Sequence, residues 1–150
     1  MQRNSTHKKS LAPLPYILFF IVYESLSSIY LFLPPLFGVL FILFVYALNK
    51  EDVVSLLTIS LCLLLFEADK GYALFTSIIY FAIAYKFIMP KIIQNVSCNS
   101  CVKISYILLA YFGFFLFNVI LSKLFLFPMP TINYYIFYYI VVEFLIASLL

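Results

Sequence analysis

The chain has 150 residues, 66% of them hydrophobic and only 10% charged, with a formal net charge of +3. Average globular chains are about 45–50% apolar and about 25% charged. A mean hydropathy of +1.13 therefore excludes a soluble domain, which needs a polar exterior, and excludes disorder as well. The few scattered basic residues exclude a nucleic-acid footprint. Three cysteines make no disulfide framework. Heavy use of Phe, Ile, Leu and Tyr, with no Trp, points to an AT-rich, bacterial coding sequence. The expected class is an all-α integral membrane protein: a polytopic bundle of about six transmembrane helices.

Residues Met1 to Ser10 carry Arg3, His7, Lys8 and Lys9 and read as a basic cytoplasmic arm. A signal peptide is the competing reading, but Glu24 interrupts the apolar run and further apolar segments follow. Residues 11–150 read as one transmembrane domain. The first segment, 11–33, is long enough to cross about 30 Å of hydrocarbon. Pro13 and Pro15 stand at its entrance, and Pro34 and Pro35 end it. The second, 35–49, ends in the polar turn Asn49-Lys50-Glu51-Asp52. The third, 53–67, reaches the polar break Glu67-Ala68-Asp69-Lys70-Gly71. The fourth, 71–90, is expected to stop at Pro90, and Lys91 to Lys103 is the one long loop. The fifth is 104–127, closed by Pro128-Met129-Pro130, and the sixth is 132–150. The second and third are short for spans, so a re-entrant hairpin competes with two short crossings.

Lys and Arg set the orientation. With the N-terminus inside, Arg3, Lys8, Lys9, Lys50, Lys86, Lys91 and Lys103 are cytoplasmic, against Lys70 and Lys123 outside. Both termini are then cytoplasmic by the positive-inside rule. Tyrosines near the segment ends, Tyr16, Tyr46 and Tyr72 among them, supply the interfacial belt.

Polar groups inside apolar segments are the candidates for function, because each costs roughly 2.5–3.5 kcal/mol at the centre of a membrane helix. Glu24 lies in the first segment with Ser25, Ser27 and Ser28 beside it, and Ser28 shares its face. Glu143 lies in the sixth, with Tyr139 one turn away. Each is either a carboxyl hydrogen-bonded inside the bundle or part of a proton or cation relay. Glu67, Asp69 and Lys70, with Gly71 able to turn the chain, form either a solvated turn or a docking patch at the outer mouth. Asn118 can hydrogen-bond across helices. Cys98-Asn99-Ser100-Cys101 is a lone CxxC. It cannot complete a four-ligand zinc site, and a redox role would call for a thioredoxin-type βαβ context. Reduced cytoplasmic thiols are expected. His7, the only histidine, lies in the arm, where it builds no catalytic dyad. No phosphate-binding loop occurs. No catalytic residue, metal or cofactor is expected.

One stretch, residues 34–93, resembles the bacterial rod shape-determining protein MreD family. The resemblance rests on Pro34 or Pro35 opening an apolar helix, the step Tyr46-Ala47, and the charged turn Lys50-Glu51-Asp52. A second helix then leads to Glu67 or Asp69, and Gly71, Ala73 and Leu74 follow. The family usually has a Gly several residues before its acid and a longer spacing from acid to the following Gly. Residues 60–66 contain no Gly here, and Gly71 follows Asp69 after one residue. The acidic position therefore stays open between Glu67 and Asp69.

The resemblance implies a non-enzymatic scaffold of the bacterial inner membrane. Its partners would be membrane lipid and MreC-, RodA- and MreB-type proteins of the peptidoglycan elongation complex. Two other classes fit the residues. One is a small transport component, such as the substrate-binding membrane subunit of a vitamin transporter, with Glu24, Asn118 or Glu143 lining a cavity. The other is an intramembrane lipid enzyme, which would need Glu24 and Glu143 to converge at one depth.

Overall fold

A computed structural model describes residues 13–129 and 131–149, with side chains from residue 15 onward. The basic arm 1–10 lies outside the described residues. The described residues form six helices with no strand among them: α1 (Pro13–Ile29), α2 (Phe37–Asn49), α3 (Val53–Lys70), α4 (Thr76–Asn95), α5 (Asn99–Phe125) and α6 (Tyr135–Leu149). Two of them, α4 and α5, are long and apolar enough to cross a membrane.

Helix α2 is the centre of the bundle. It packs on α3, α5 and α6, whereas α1 leans chiefly on α3. Its sequence explains the position. Phe37, Leu40, Phe41 and Phe44 recur at helical spacing and are all buried. The Phe37 ring meets Phe66, Phe81 and Phe114 with centroids 5.0, 5.0 and 4.7 Å apart. Phe41 adds Phe81 at 4.8 Å. Each such pair contributes roughly 0.5–1.5 kcal/mol beyond its buried area. One phenylalanine on α2 thus fastens α3, α4 and α5 at a single level.

The bundle has two ends. At one, Ser28 of α1 reaches Asp69 of α3, and the turn after α3 packs near Ser122 and Phe127. Lys70 and Lys123 lie at this end. At the other, Tyr85 Oη donates to Asn49 Oδ1 at 2.9 Å, and Lys103 Nζ donates to the Ala147 carbonyl at 3.1 Å. The second bond supplies a cation to the C-terminal end of α6, where free carbonyls favour one.

Several boundaries differ from expectation: α3 runs on to Lys70 rather than 67, and α4 starts at Thr76 rather than 71. Pro90 does not end the fourth helix, which runs on to Asn95, and α5 already begins at Asn99. The expected loop 91–103 shrinks to the three residues 96–98. The reason lies one turn before the proline. Pro90 has no N–H, and in a regular helix its ring would strike the Lys86 carbonyl. A wide π-helical turn spans Ala84–Ile88 and lets the helix pass the proline. The first segment, by contrast, stops early: α1 ends at Ile29, and residues 30–36 form an irregular connection to α2.

Candidate functional site

A helix presents four N–H groups at its start without partners in the helix. Ser, Thr, Asp or Asn normally caps them, and Asp52 does so for α3 by accepting from Ser55. Helices α2 and α4 have no such residue. Leu36 precedes α2 and Phe75 precedes α4, both in the left-handed region at φ 55° and 68°. That region costs a non-glycine residue roughly 1–2 kcal/mol. In each case the cap comes from a glutamate on another helix.

Glu143, from the middle of α6, is fully buried. Its Oε2 accepts the Val39 N–H at 3.1 Å, and the carboxyl also faces the N–H groups of Phe37 and Gly38. Its other oxygen accepts the hydroxyl of Tyr111. Tyr111 lies in a second π-helical turn, Leu109–Gly113. The wide turn leaves the Leu109 carbonyl to accept Tyr80 Oη at 2.6 Å. A Cβ on Gly113 would overlap that same tyrosine hydroxyl. Gly38 plays the matching part at α2. A Cβ there would lie 2.6 Å from Glu143 Oε2 and 3.1 Å from Ile107 Cγ2. Only a glycine lets the carboxyl reach the helix start.

Glu67, from the last turn of α3, is also fully buried. Oε2 accepts the Phe75 N–H at 2.7 Å, and Oε1 accepts the Ser77 N–H. The Glu67 carbonyl meanwhile receives the N–H groups of Gly71 and Tyr72 at the end of α3. One residue therefore closes the end of α3 and opens α4.

The irregular connection 30–36 is held by hydroxyls. Tyr23 Oη donates to the Pro34 carbonyl at 2.8 Å, Ser27 Oγ to Leu33 at 3.1 Å, and Tyr139 Oη to Leu31 at 2.6 Å. These bonds satisfy the Leu31, Leu33 and Pro34 carbonyls of a connection that starts exposed at residues 30–32 and becomes buried at residues 34–35. They also bring the chain to α2 beside Glu143, about 12 Å along α6 from that helix's start at 1.5 Å per residue.

Glu24 is different. It is 3% exposed, and neither carboxyl oxygen has a hydrogen-bond partner. The neighbouring serines point elsewhere: Ser25 bonds the Ile21 carbonyl, Ser27 bonds Leu33, and Ser28 bonds Asp69. Asp69 takes the Ser28 hydroxyl at 2.6 Å, and Lys70 Nζ lies 3.6 Å from its Oδ2. Gly71 ends α3 at φ 73°. The Asn118 side chain donates to the Phe114 carbonyl of its own helix and borders a cavity of about 60 Å³ beneath Gly71 and Tyr72. That volume suits a water molecule or two.

The structure therefore splits the acidic turn. Glu67 is a buried cap rather than a solvated group, because α4 starts without a local one. Asp69 and Lys70 stay at the rim. It also reassigns the partners at Glu143: Tyr111 serves it, while Tyr139, the expected neighbour, holds the connection at Leu31. Glu24 sits on α1 and Glu143 between α2, α5 and α6, each in its own surroundings. Tyr111, Tyr80, Gly38 and Gly113 escape a reading of the sequence alone. The available signal was a lone glycine in an apolar helix directly after Pro-Pro, a mark of close approach.

Cys62 is buried, while Cys98 and Cys101 are exposed at the start of α5. Among the described residues no three His, Cys, Asp or Glu side chains gather where a metal ion could bind. Chemically, the arrangement can hold helix termini together. Of the buried carboxyls, Glu143 faces backbone N–H groups and a phenol, Glu67 faces backbone N–H groups, and Glu24 makes no hydrogen bond but lies within the electrostatic reach of Lys70 and Asp69. Comparison with protein-family models, with curated proteins and with solved structures finds no match in any of the three.

Proposed function

We propose that this chain is an integral protein of the bacterial inner membrane and a non-enzymatic scaffold of the MreD type. In this reading all six helices cross the bilayer with both termini cytoplasmic. The short α2, about 20 Å long at 1.5 Å per residue, completes its crossing through the hydroxyl-braced connection 30–36. Irregular backbone at membrane depth is tolerated where protein satisfies it. Large apolar side chains lie exposed on every helix, for example Phe19, Leu57, Phe87, Leu116 and Phe137. They suit lipid and partner helices better than water.

The observation that carries the scaffold reading is the use made of the buried carboxyls. Glu143 and Glu67 each close a helix terminus, an architectural task that fixes a rigid bundle. The outer surface is then left for recognition, with Asp69 and Lys70 as its polar rim. The resemblance over residues 34–93 names the partners: MreC-, RodA- and MreB-type proteins of the elongation complex. An affinity pull-down from native membranes in mild detergent, read by mass spectrometry, tests this. Recovery of MreC- and RodA-type proteins is expected. Recovery of an ATPase with its membrane coupling subunit would overturn it.

That second outcome belongs to a second reading, a substrate-binding transport subunit. A cleft of about 710 Å³ between α1, α2 and α3 favours it, lined by Phe20, Val39, Leu40, Tyr46, Thr58 and Cys62, although Glu24, Asn118 and Glu143, the residues expected to line such a cavity, do not border it. Small-molecule sites are commonly about 300–1,000 Å³ and mostly apolar. A vitamin-type ligand that raises the unfolding temperature of the purified protein would support this reading over the scaffold.

A further inference from the structure

The CxxC pair takes no part in the network of helix caps. Its placement suggests a chemistry of its own. Cys98 is the residue immediately before α5 and has extended backbone, φ −92° and ψ 125°. Cys101 is the third residue inside that helix. These are the cap position and the third position of the helix, three residues apart on its first turn, although the Cys98 side chain makes no cap hydrogen bond. Both thiols are exposed, and only residues 96–98 separate α4 from α5. A βαβ unit serves a redox pair chemically by delivering it to a helix N-terminus. This all-helical fold does so with a tight junction between two long helices.

We propose that Cys98 and Cys101 form a reversible dithiol–disulfide site at the α4–α5 junction, oxidised by low-molecular-weight disulfides. Cys98 is the attacking thiol and Cys101 the resolving one. The Cys98 thiolate attacks one sulfur of the external disulfide. That S–S bond breaks, a mixed disulfide forms, and the first leaving thiolate takes up a proton. Cys101 then gives up its proton and attacks the Cys98 sulfur, expelling the second external thiol. Two protein thiols are oxidised to one disulfide, and one external disulfide is reduced to two thiols. The division of labour follows from the helix. Its free N–H groups favour a negative charge at the residue before it. The N–H of Cys101, the Cys101 thiol and the N–H of Ser100 together hold the Cys98 thiol below its ordinary pKa. This inference stands apart from the scaffold reading and needs no partner protein.

The test uses the full chain, reduced, freed of reductant, and exposed in mild detergent to glutathione disulfide, with intact masses read after an acid quench. The native chain is expected to lose two hydrogens and retain no glutathione. Cys101→Ser is expected to trap one glutathione, mapped by peptide to Cys98. Cys98→Ser is expected to react at Cys101 at least about tenfold more slowly, since its thiolate fraction is smaller. Buried Cys62 is the internal control for intact folding. The proposal is overturned if the native chain accumulates two glutathiones. It is equally overturned if the single variants react at equal rates, or if the only disulfide formed links two chains.

Discussion

Replacing Gly38 with alanine tests the central cap directly. The added Cβ would lie 2.6 Å from Glu143 Oε2 and 3.1 Å from Ile107 Cγ2, so the carboxyl must retreat from the start of α2. A hydrogen bond to a charged group contributes about 1.5–3 kcal/mol, and overpacking a closed core costs about 1–3 kcal/mol. Alanine returns about 1 kcal/mol through its better helix propensity. The expected net loss is about 1.5–5 kcal/mol. At roughly 2–4 °C per kcal/mol for a chain of this size, the unfolding midpoint should fall by about 3–20 °C. The natural probe is Cys62, buried in the core. In a Cys98→Ser/Cys101→Ser background, a thiol-reactive fluorophore reports heating through Cys62 alone. The same change in a Glu143→Ala background should cost measurably less, because the two residues act on one contact. A Gly38→Ala protein as stable as its parent would refute the reasoning. Equal costs in the two backgrounds would place the strain on Ile107 instead.

Four further outcomes follow from the same structure. Glu67→Ala should lower the unfolding midpoint, since the Phe75 and Ser77 N–H groups lose their acceptor, at about 1–3 kcal/mol; Glu67→Gln, which keeps one carbonyl, should lose less. Glu24→Met should stabilise the protein or leave it unchanged, because it removes a buried carboxyl without hydrogen-bond partners; a drop in midpoint would show that its attraction to Lys70 outweighs the cost of burying it. Asp69→Lys should reduce pull-down yield while leaving the protein in the membrane fraction, and an unchanged yield would remove Asp69 from the docking rim. Alkylation of Cys98 should persist to lower pH than alkylation of Cys101. A thiol held below its ordinary value keeps its thiolate as pH falls, and peptide mass spectrometry across about pH 6–9 reads the order against the usual thiol value of about 8.5.

The six apolar segments were legible because punctuation marks them: Pro34-Pro35, Asn49 to Asp52, Glu67 to Gly71, and Pro128 onward. Where the punctuation misled, at Pro90, a wide turn upstream had absorbed the proline, and no residue near Ala84–Ile88 announces one. Glu24, Glu67 and Glu143 stood out as costly groups, but their roles did not. The sequence around Glu143 offers Tyr139 at helical spacing, whereas its actual partners are Val39 and Tyr111, 104 and 32 positions away. Glu67 could have been read more closely. A buried acid eight and ten residues before uncapped N–H groups is within reach of a tight turn. Ser28 shares a face with Glu24 as its spacing requires, yet it bonds Asp69, because a side chain follows the best acceptor available rather than the nearest in sequence.

The link between Glu143 and Val39 also sets an order of assembly. When Asn49, the last residue of α2, joins the growing chain, the residue that will cap that helix has not been made, and 94 peptide bonds separate the two positions. Until α6 arrives, the innermost helix of the bundle has an exposed, unsatisfied start, and the aromatic cluster around Phe37 must form around an unfinished centre. A chain truncated before residue 143 would carry the same defect permanently. Helix α6 thus acts as the step that closes the start of α2.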